Sequence, residues 1–200
     1  MENPTENKPE TPETPETSEN YDNIEIIRAD SKVTRKYKLK GLLHRTDGPA
    51  IEYPDGGMEW WINGMLHREG DLPAIDIPNF KKWYKNGVVH REGGPAIESS
   101  GYGNYGYPLD DISNGPHVVF GDMFEIWCMD GKVHRVGGPS YINKTTGYRS
   151  WRQHGELHRL DGPAIVYSNG TMGWYINGKV CSESWVAFEA AKLNKAVIVD

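Results

Sequence analysis

Trp60-Trp61-Ile62-Asn63-Gly64-Met65-Leu66-His67-Arg68 is a stretch whose pattern returns along the chain. It recurs as WYKNGVVHR from Trp83, WCMDGKVHR from Trp127 and WRQHGELHR from Trp151, and its first half closes the series as WYING from Trp174. The leading tryptophans are separated by 23, 44, 24 and 23 residues, so one unit is about 23 residues long and the longest interval spans two. A fixed period in this range marks an array whose units bury their apolar sides only by stacking on one another.

Reading outward, the unit from Gly41 to Asn63 runs turn, short strand, loop, strand, turn, strand. Gly48-Pro49-Ala50 ends the loop, Ile51 to Tyr53 is a strand, Pro54-Asp55-Gly56-Gly57 turns the chain, and Met58 to Ile62 returns to Asn63-Gly64. Asn-Gly and Asp-Gly supply the positive φ angles that tight hairpins need. Each unit is therefore expected to be a β-hairpin, with successive hairpins extending one antiparallel sheet. Lys40-Gly41-Leu42-Leu43-His44-Arg45 already matches the second half of the motif and starts the array. Aligned on the loop proline, Pro49, Pro73, Pro95, Pro116, Pro139 and Pro163 are spaced 24, 22, 21, 23 and 24 residues, which gives six units. The fourth is degenerate. A run containing Tyr102, Tyr105 and Tyr107 precedes it, and Asp110-Asp111 fall at or beside the place where flanking units carry His-Arg.

The flanks differ from the array. Ile24, Ile26 and Ile27, followed by the alternating Val33 to Leu39, predict two short strands that lead into it. After Gly178, Ser182-Glu183-Ser184 offers N-cap residues, and Trp185 to Leu193 follows with good helix formers. An open sheet edge exposes unpaired backbone groups, so this helix and Ala196 to Val199 are expected to close the array, with Trp185 and Phe188 covering the last hairpin. The fold expected is mainly β: a six-unit antiparallel β-hairpin repeat array with a C-terminal α-helical cap. Its parts are an acidic tail at 1–20, N-terminal capping strands at 21–40, hairpin repeats at 41–181 and the helix and strand cap at 182–200.

Composition narrows the function classes. Hydrophobic residues make up 37% of the chain and mean hydropathy is -0.67, which suits a thin fold better than a thick globule. Residues 1–20 hold six glutamates and one lysine, with Pro-Glu-Thr written three times, and their composition predicts disorder. Of the net charge of -6, that segment carries -5 and the rest only -1, so the body lacks the basic excess of a nucleic-acid binder. No apolar run is long enough to span a bilayer and no signal-like leader is present, which predicts a soluble, cytoplasmic protein. Cys128 and Cys181 lack metal-type spacing and read as free thiols.

The spacing aromatic-x-Asn-Gly-x-x-His at a 23-residue period resembles MORN repeats, over roughly residues 40 to 178. Trp61, Asn63, Gly64 and His67 fall on that family's pattern, as do Tyr84, Asn86, Gly87 and His90; Tyr175, Asn177 and Gly178 match in part. Arg68, Arg91, Arg135 and Arg159 stand where MORN units prefer glycine, and Gly-Pro-Ala replaces the usual Gly-x-Gly loop. This His-Arg-x-Asp-Gly-Pro-Ala version resembles a variant found in proteins of large phages and giant viruses. The resemblance implies elongated antiparallel sheets and a binding or scaffolding role, with protein partners commonest and lipid headgroups sometimes proposed. It implies no catalysis by the repeats.

Repetition also sorts the candidate sites. His44, His67, His90, His134 and His158 invite a metal reading, but stacked hairpins advance about 9.5 Å per unit. A zinc ion needs all its ligands within about 2 Å. A ladder of structural histidines bonded to turn backbone is the expectation, with no metal and no cofactor. Arg45, Arg68, Arg91, Arg135 and Arg159 form a basic stripe for phosphate or an acidic partner, or else stack on tryptophan and pair with nearby acids such as Asp47, Glu69, Glu92 and Asp161. The leading tryptophans read as a core ladder rather than a base-stacking platform. Catalysis needs residues made unique by context, and nearly every polar residue here is repeated. The exception is the degenerate unit, where Tyr102, Tyr105, Tyr107, Asp110 and Asp111 form the candidate partner-binding site, with neutral drift as the alternative. The expected function is a non-enzymatic protein-binding adaptor or scaffold, viral in origin and acting on a host or viral protein; the alternatives are a small-molecule or nucleotide binder and a lipid-headgroup binder.

Overall fold

The computed structural model describes residues 20–101 and 123–196. They form a 13-stranded antiparallel sheet followed by one helix, as the repeat pattern and the helix signals require. The sheet opens with the paired strands Asn23–Ala29 and Lys32–Leu39, in register from Asn23 opposite Lys38 to Ala29 opposite Lys32. Hairpins then follow in chain order: Ile51–Glu52 with Met58–Glu59, Ile75–Ile77 with Phe80–Lys82, Ile97–Ser100 with Met123–Ile126, Tyr141–Asn143 with Arg149–Ser150, and Ile165–Val166 with Met172–Gly173. Side chains alternate across a pleated strand. One row therefore points inward, through Ile51, Glu59, Ile75, Lys82, Ile97, Ile126, Tyr141, Ser150 and Ile165, all buried and each opposite the next in register.

The sheet has a second tier beneath it. Each Trp-x-x-Asn-Gly segment bends out of the main sheet and makes a two-stranded ladder of its own: Trp61–Ile62 with Met65–Leu66, Tyr84–Lys85 with Val88–Val89, Cys128–Met129 with Lys132–Val133, Arg152–Gln153 with Glu156–Leu157, and Tyr175–Ile176 with Lys179–Val180. The turns need two consecutive residues at positive φ, as at Asn63 (50°) and Gly64 (78°), which explains the Asn-Gly of the motif. His154 occupies the first of these positions at φ 52°, so the turn survives without asparagine. Neighbouring small hairpins are tied by backbone bonds. The turn-glycine amides of Gly64, Gly87, Gly131, Gly155 and Gly178 donate to Leu43, Leu66, Val89, Val133 and Leu157 of the preceding unit. The core joins the tiers: Ile75, Phe80, Ile97, Phe124, Ile126 and Tyr141 of the sheet cluster with Tyr84, Val89, Cys128 and Val133 of the small hairpins.

The array begins earlier than the His-Arg pattern indicates. Tyr37 takes the place of the leading tryptophan, four residues before Gly41 and seven before His44. Its amide donates to Ala50 O at 2.8 Å and its carbonyl accepts from His44 N at 3.0 Å, the bonds that Trp60 makes with Ala74 and His67. At the fourth unit, the first strand of the third (Ile97–Ser100) pairs directly with the second strand of the fourth (Met123–Ile126), Ile97 opposite Ile126. The small hairpins on either side are also neighbours, with Arg91 N–H donating to Cys128 O at 3.3 Å. Residues 102–122 between them, including Tyr102, Tyr105, Tyr107, Asp110, Asp111 and Pro116, lie outside the described residues.

The helix spans Glu183–Ala196 and begins as expected, with Trp185 N–H donating to the Ser182 hydroxyl at 3.2 Å. Its packing differs from the expectation. Val186 is buried at 2% exposure, whereas Trp185 and Phe188 are 52% and 53% exposed and pack on each other with centroids 5.6 Å apart. A helix has one docked face, and Val186 with Glu189 and Ala190 occupies it, so Trp185 and Phe188 fall on the opposite side. No helix of the described residues is long and apolar enough to cross a membrane.

Candidate binding surface

The repeated polar residues act as ties between units. Each ladder histidine stands on the last residue of its small hairpin, facing the positive-φ turn of the next unit. There the turn amide donates to the ring Nδ1: Asn63 to His44 at 3.0 Å, Asn86 to His67 at 3.1 Å, Asp130 to His90 at 3.4 Å, His154 to His134 at 3.1 Å and Asn177 to His158 at 3.3 Å. An amide N–H is only a donor, so at His67 and His134, where it is the partner of Nδ1, that nitrogen is the unprotonated one. The tight turn leaves that amide without a strand partner, and the histidine satisfies it. At His44, His90 and His158 a side-chain oxygen of the turn residue, Asn63, Asp130 or Asn177, also stands 2.9, 3.0 or 2.6 Å from the same nitrogen. Among the described residues no cluster of histidine, cysteine and acidic side chains has the geometry to hold a metal.

Every arginine of the stripe lies over an aromatic ring. Arg68, Arg91, Arg135 and Arg159 stack on Trp60, Trp83, Trp127 and Trp151 with Cζ 3.4 to 3.9 Å from the ring centroid, and Arg45 stacks on Tyr37 at 4.0 Å. The same guanidinium donates to the loop proline carbonyl: Pro49, Pro73, Pro95, Pro139 or Pro163, at 3.0 to 3.3 Å. Its far side lies against glycine. A Cβ at Gly48, Gly94, Gly138 or Gly162 would come within 2.8 to 3.1 Å of the arginine Cζ, so the Gly-Pro pair is the slot into which the arginine fits. Arg68 has Leu72 there instead, in a loop one residue longer. The tryptophans are half-buried lids on this arrangement, except Trp83, which is buried and donates from Nε1 to Asp71 O at 3.0 Å.

The carboxylates are distributed unevenly. Arg45 pairs with Asp47 at 2.7 Å and Glu52 at 2.9 Å, and Arg159 with Asp161 at 2.8 Å. These contacts hold the Asp47 and Asp161 carboxyls below the usual aspartate range, mainly through the arginine hydrogen bond. Arg91 pairs with Glu98 at 2.9 Å and with Asp71 at 3.0 Å, and Asp71 belongs to the preceding loop. Spacing within one unit could not reveal that crossing; the signal was the missing aspartate at Gly93. Arg68 and Arg135 have no ion pair among the described residues. Burial pushes the Arg68 guanidinium down from its ordinary value, and Asp76 opposes that shift.

With the polar repeat turned inward, the outward residues of the small hairpins remain. The residue after each turn glycine reads Leu42, Met65 and Val88 in the first three units and Lys132, Glu156 and Lys179 thereafter. Leu42, Met65 and Val88 are 52%, 45% and 44% exposed. They form one ridge, because each lies against the turn glycine of the next unit: Leu42 is 3.4 Å from the Cβ site of Gly64, Met65 3.6 Å from that of Gly87, and Val88 3.3 Å from that of Gly131. Sequence reasoning passed over this position, since it varies while its neighbours repeat. Comparison of the chain with protein-family models, curated proteins and solved structures gave no match.

Proposed function

We propose that the chain is a non-enzymatic adaptor or scaffold, MORN-like in its units and viral in source, that binds another protein through the outer face of its small hairpins. The observation that carries this reading is the ridge of Leu42, Met65 and Val88. Three neighbouring units each leave a large apolar side chain about half exposed, aligned along the array rather than scattered. Single exposed apolar residues are normal on a protein surface, whereas a contiguous row rimmed by polar groups favours a protein contact. The histidines and most of the arginines support the reading indirectly, because their ring and guanidinium groups are committed to ties between and within units.

The test is a variant carrying Leu42→Lys, Met65→Lys and Val88→Lys, compared with the unaltered chain as bait in cell extract. These side chains point outward, so the melting temperature is expected to stay within a few degrees while a stoichiometric partner is lost. Retention of that partner by the triple variant contradicts the reading.

A further inference from the structure

The geometry points to Arg135 as an open seat for one carboxylate of the partner, held in the groove between the loops of the last two units. This inference rests on the adaptor reading and gives the partner a chemistry: an acidic side chain next to an apolar one on an extended segment.

The argument comes from comparing equivalent loops. His44-Arg45-Thr46-Asp47-Gly48-Pro49 and His158-Arg159-Leu160-Asp161-Gly162-Pro163 supply their own aspartate, which accepts from the arginine Nε at 2.7 and 2.8 Å. Two loops have glycine at that position, Gly93 and Gly137. At Gly93 the vacancy is filled from outside the loop. Asp71 of the preceding unit accepts from Arg91 Nε at 3.0 Å and Nη2 at 3.2 Å, and a Cβ on Gly93 would come within 2.7 Å of that carboxylate. The molecule thus contains one example of a glycine-gapped loop receiving a carboxylate from another segment. At Gly137 nothing lies within 4 Å of the Cβ position. The second acid is missing as well: Glu52 and Glu98 stand seven residues beyond Arg45 and Arg91, whereas Ile142 stands there for Arg135.

Arg135 is nonetheless held in the same pose as its counterparts. It stacks on Trp127 at 3.8 Å, its Nη1 donates to Pro139 O at 3.0 Å, and Gly138 closes its other side. In the sister loops Nε, and at Arg91 also Nη2, meets a carboxylate; at Arg135 these donors have no acceptor among the described residues. A guanidinium fixed in this way loses little entropy on accepting a planar carboxylate. The seat opens into a groove of about 370 Å³ whose lining includes Arg135, Gly137, Trp151, Gln153 and the Arg159–Asp161 ion pair, in which the Asp161 charge is already matched. Val136, next to Arg135, is 76% exposed and offers the apolar contact.

The test uses the full chain and two capped peptides that differ only in one central residue, aspartate or asparagine, set between leucines. Binding is followed by chemical-shift perturbation of the Val136 and Gly137 amides. The aspartate peptide is expected to bind about tenfold more tightly than its asparagine counterpart, and Arg135→Gln is expected to abolish that difference. Gly137→Asp, which supplies the carboxylate in cis at a φ of 77° that aspartate tolerates better than most residues, should also abolish it while leaving Trp127 packed. Equal binding of the two peptides overturns the proposal. So does binding that rises about tenfold when residues 1–19 are removed, since that assigns the seat to the chain's own acidic segment. If the ridge variant loses its protein partner while Arg135→Gln keeps it at full affinity, the adaptor reading stands and this site falls.

Discussion

At His134 the turn amide donating to the ring nitrogen makes the contact sensitive to protons. The His134 ring is held below its ordinary value of 6.5, first by burial and second by the facing His154. The folded state therefore favours the neutral ring, and the unfolded chain protonates first as pH falls. The stability this ring contributes is whole above 6.5 and is lost as pH drops below that value towards the lowered folded pKa. His134→Ala is expected to cost about 1 kcal/mol near neutral pH and to show a smaller fall in melting temperature than the unaltered chain between about pH 7.5 and 5.5. Parallel pH profiles would contradict this. The cysteines separate as sharply: Cys128 is buried and its thiol is pushed up to about 12 by burial, partly offset by Lys82, whereas Cys181 is half-buried. Iodoacetamide should label Cys181 in the native protein and reach Cys128 only after unfolding. Among the arginines, Arg91→Gln is expected to cost about 1 kcal/mol more than Arg135→Gln in thermal melts, because it strands Asp71 and Glu98. Histidines bonded to turn backbone and arginines stacked on tryptophan were legible from repetition alone. Asp71 was not, because its partner lies 20 residues away, in the next unit.

At the scale of elements, short strands follow from the turns. Asn-Gly, Asp-Gly and their substitutes recur so often that, from Leu42 on, no strand among the described residues exceeds four residues, and stacking rather than length supplies stability. Those turns were readable from sequence. The division into two tiers was not, because the bend falls at the tryptophan and the residues on both sides of it have strand character. Tyr37 was not legible for a related reason: the repeat's leading residue is tryptophan in every later unit that keeps the motif, and the first unit substitutes tyrosine four residues before Gly41. The helix was legible in extent but not in orientation, since Trp185, Val186 and Phe188 are all apolar and only the docked geometry selects Val186. Val186→Ala is therefore expected to lower stability by about 2 kcal/mol in a denaturant titration, while Trp185→Ala with Phe188→Ala changes it by less than about 1 kcal/mol. Reversed magnitudes would return the aromatic pair to the docked face.

For the whole molecule, period and polarity divide the work. The period specifies a lattice in which backbone bonds, histidines and the arginine stacks join or brace consecutive units, so what recurs is structural, and the recognition proposed above rests on what varies, such as Leu42, Met65, Val88 and Gly137. Fold class was readable from the sequence because every unit repeats the same local signals. The proposed binding surface was much less so, because it rests on positions that break the repeat, and some of those lie at 102–122, outside the described residues. The central claim, that the repeated histidines tie unit to unit as acceptors, is tested most directly by nitrogen-15 NMR of the imidazole rings at mildly alkaline pH. The account predicts that His67 and His134 are fixed in the tautomer with the proton on Nε2 and Nδ1 accepting, with slow exchange of the amides of Asn86 and His154. Rings protonated on Nδ1, or averaging between tautomers with fast-exchanging turn amides, would contradict it.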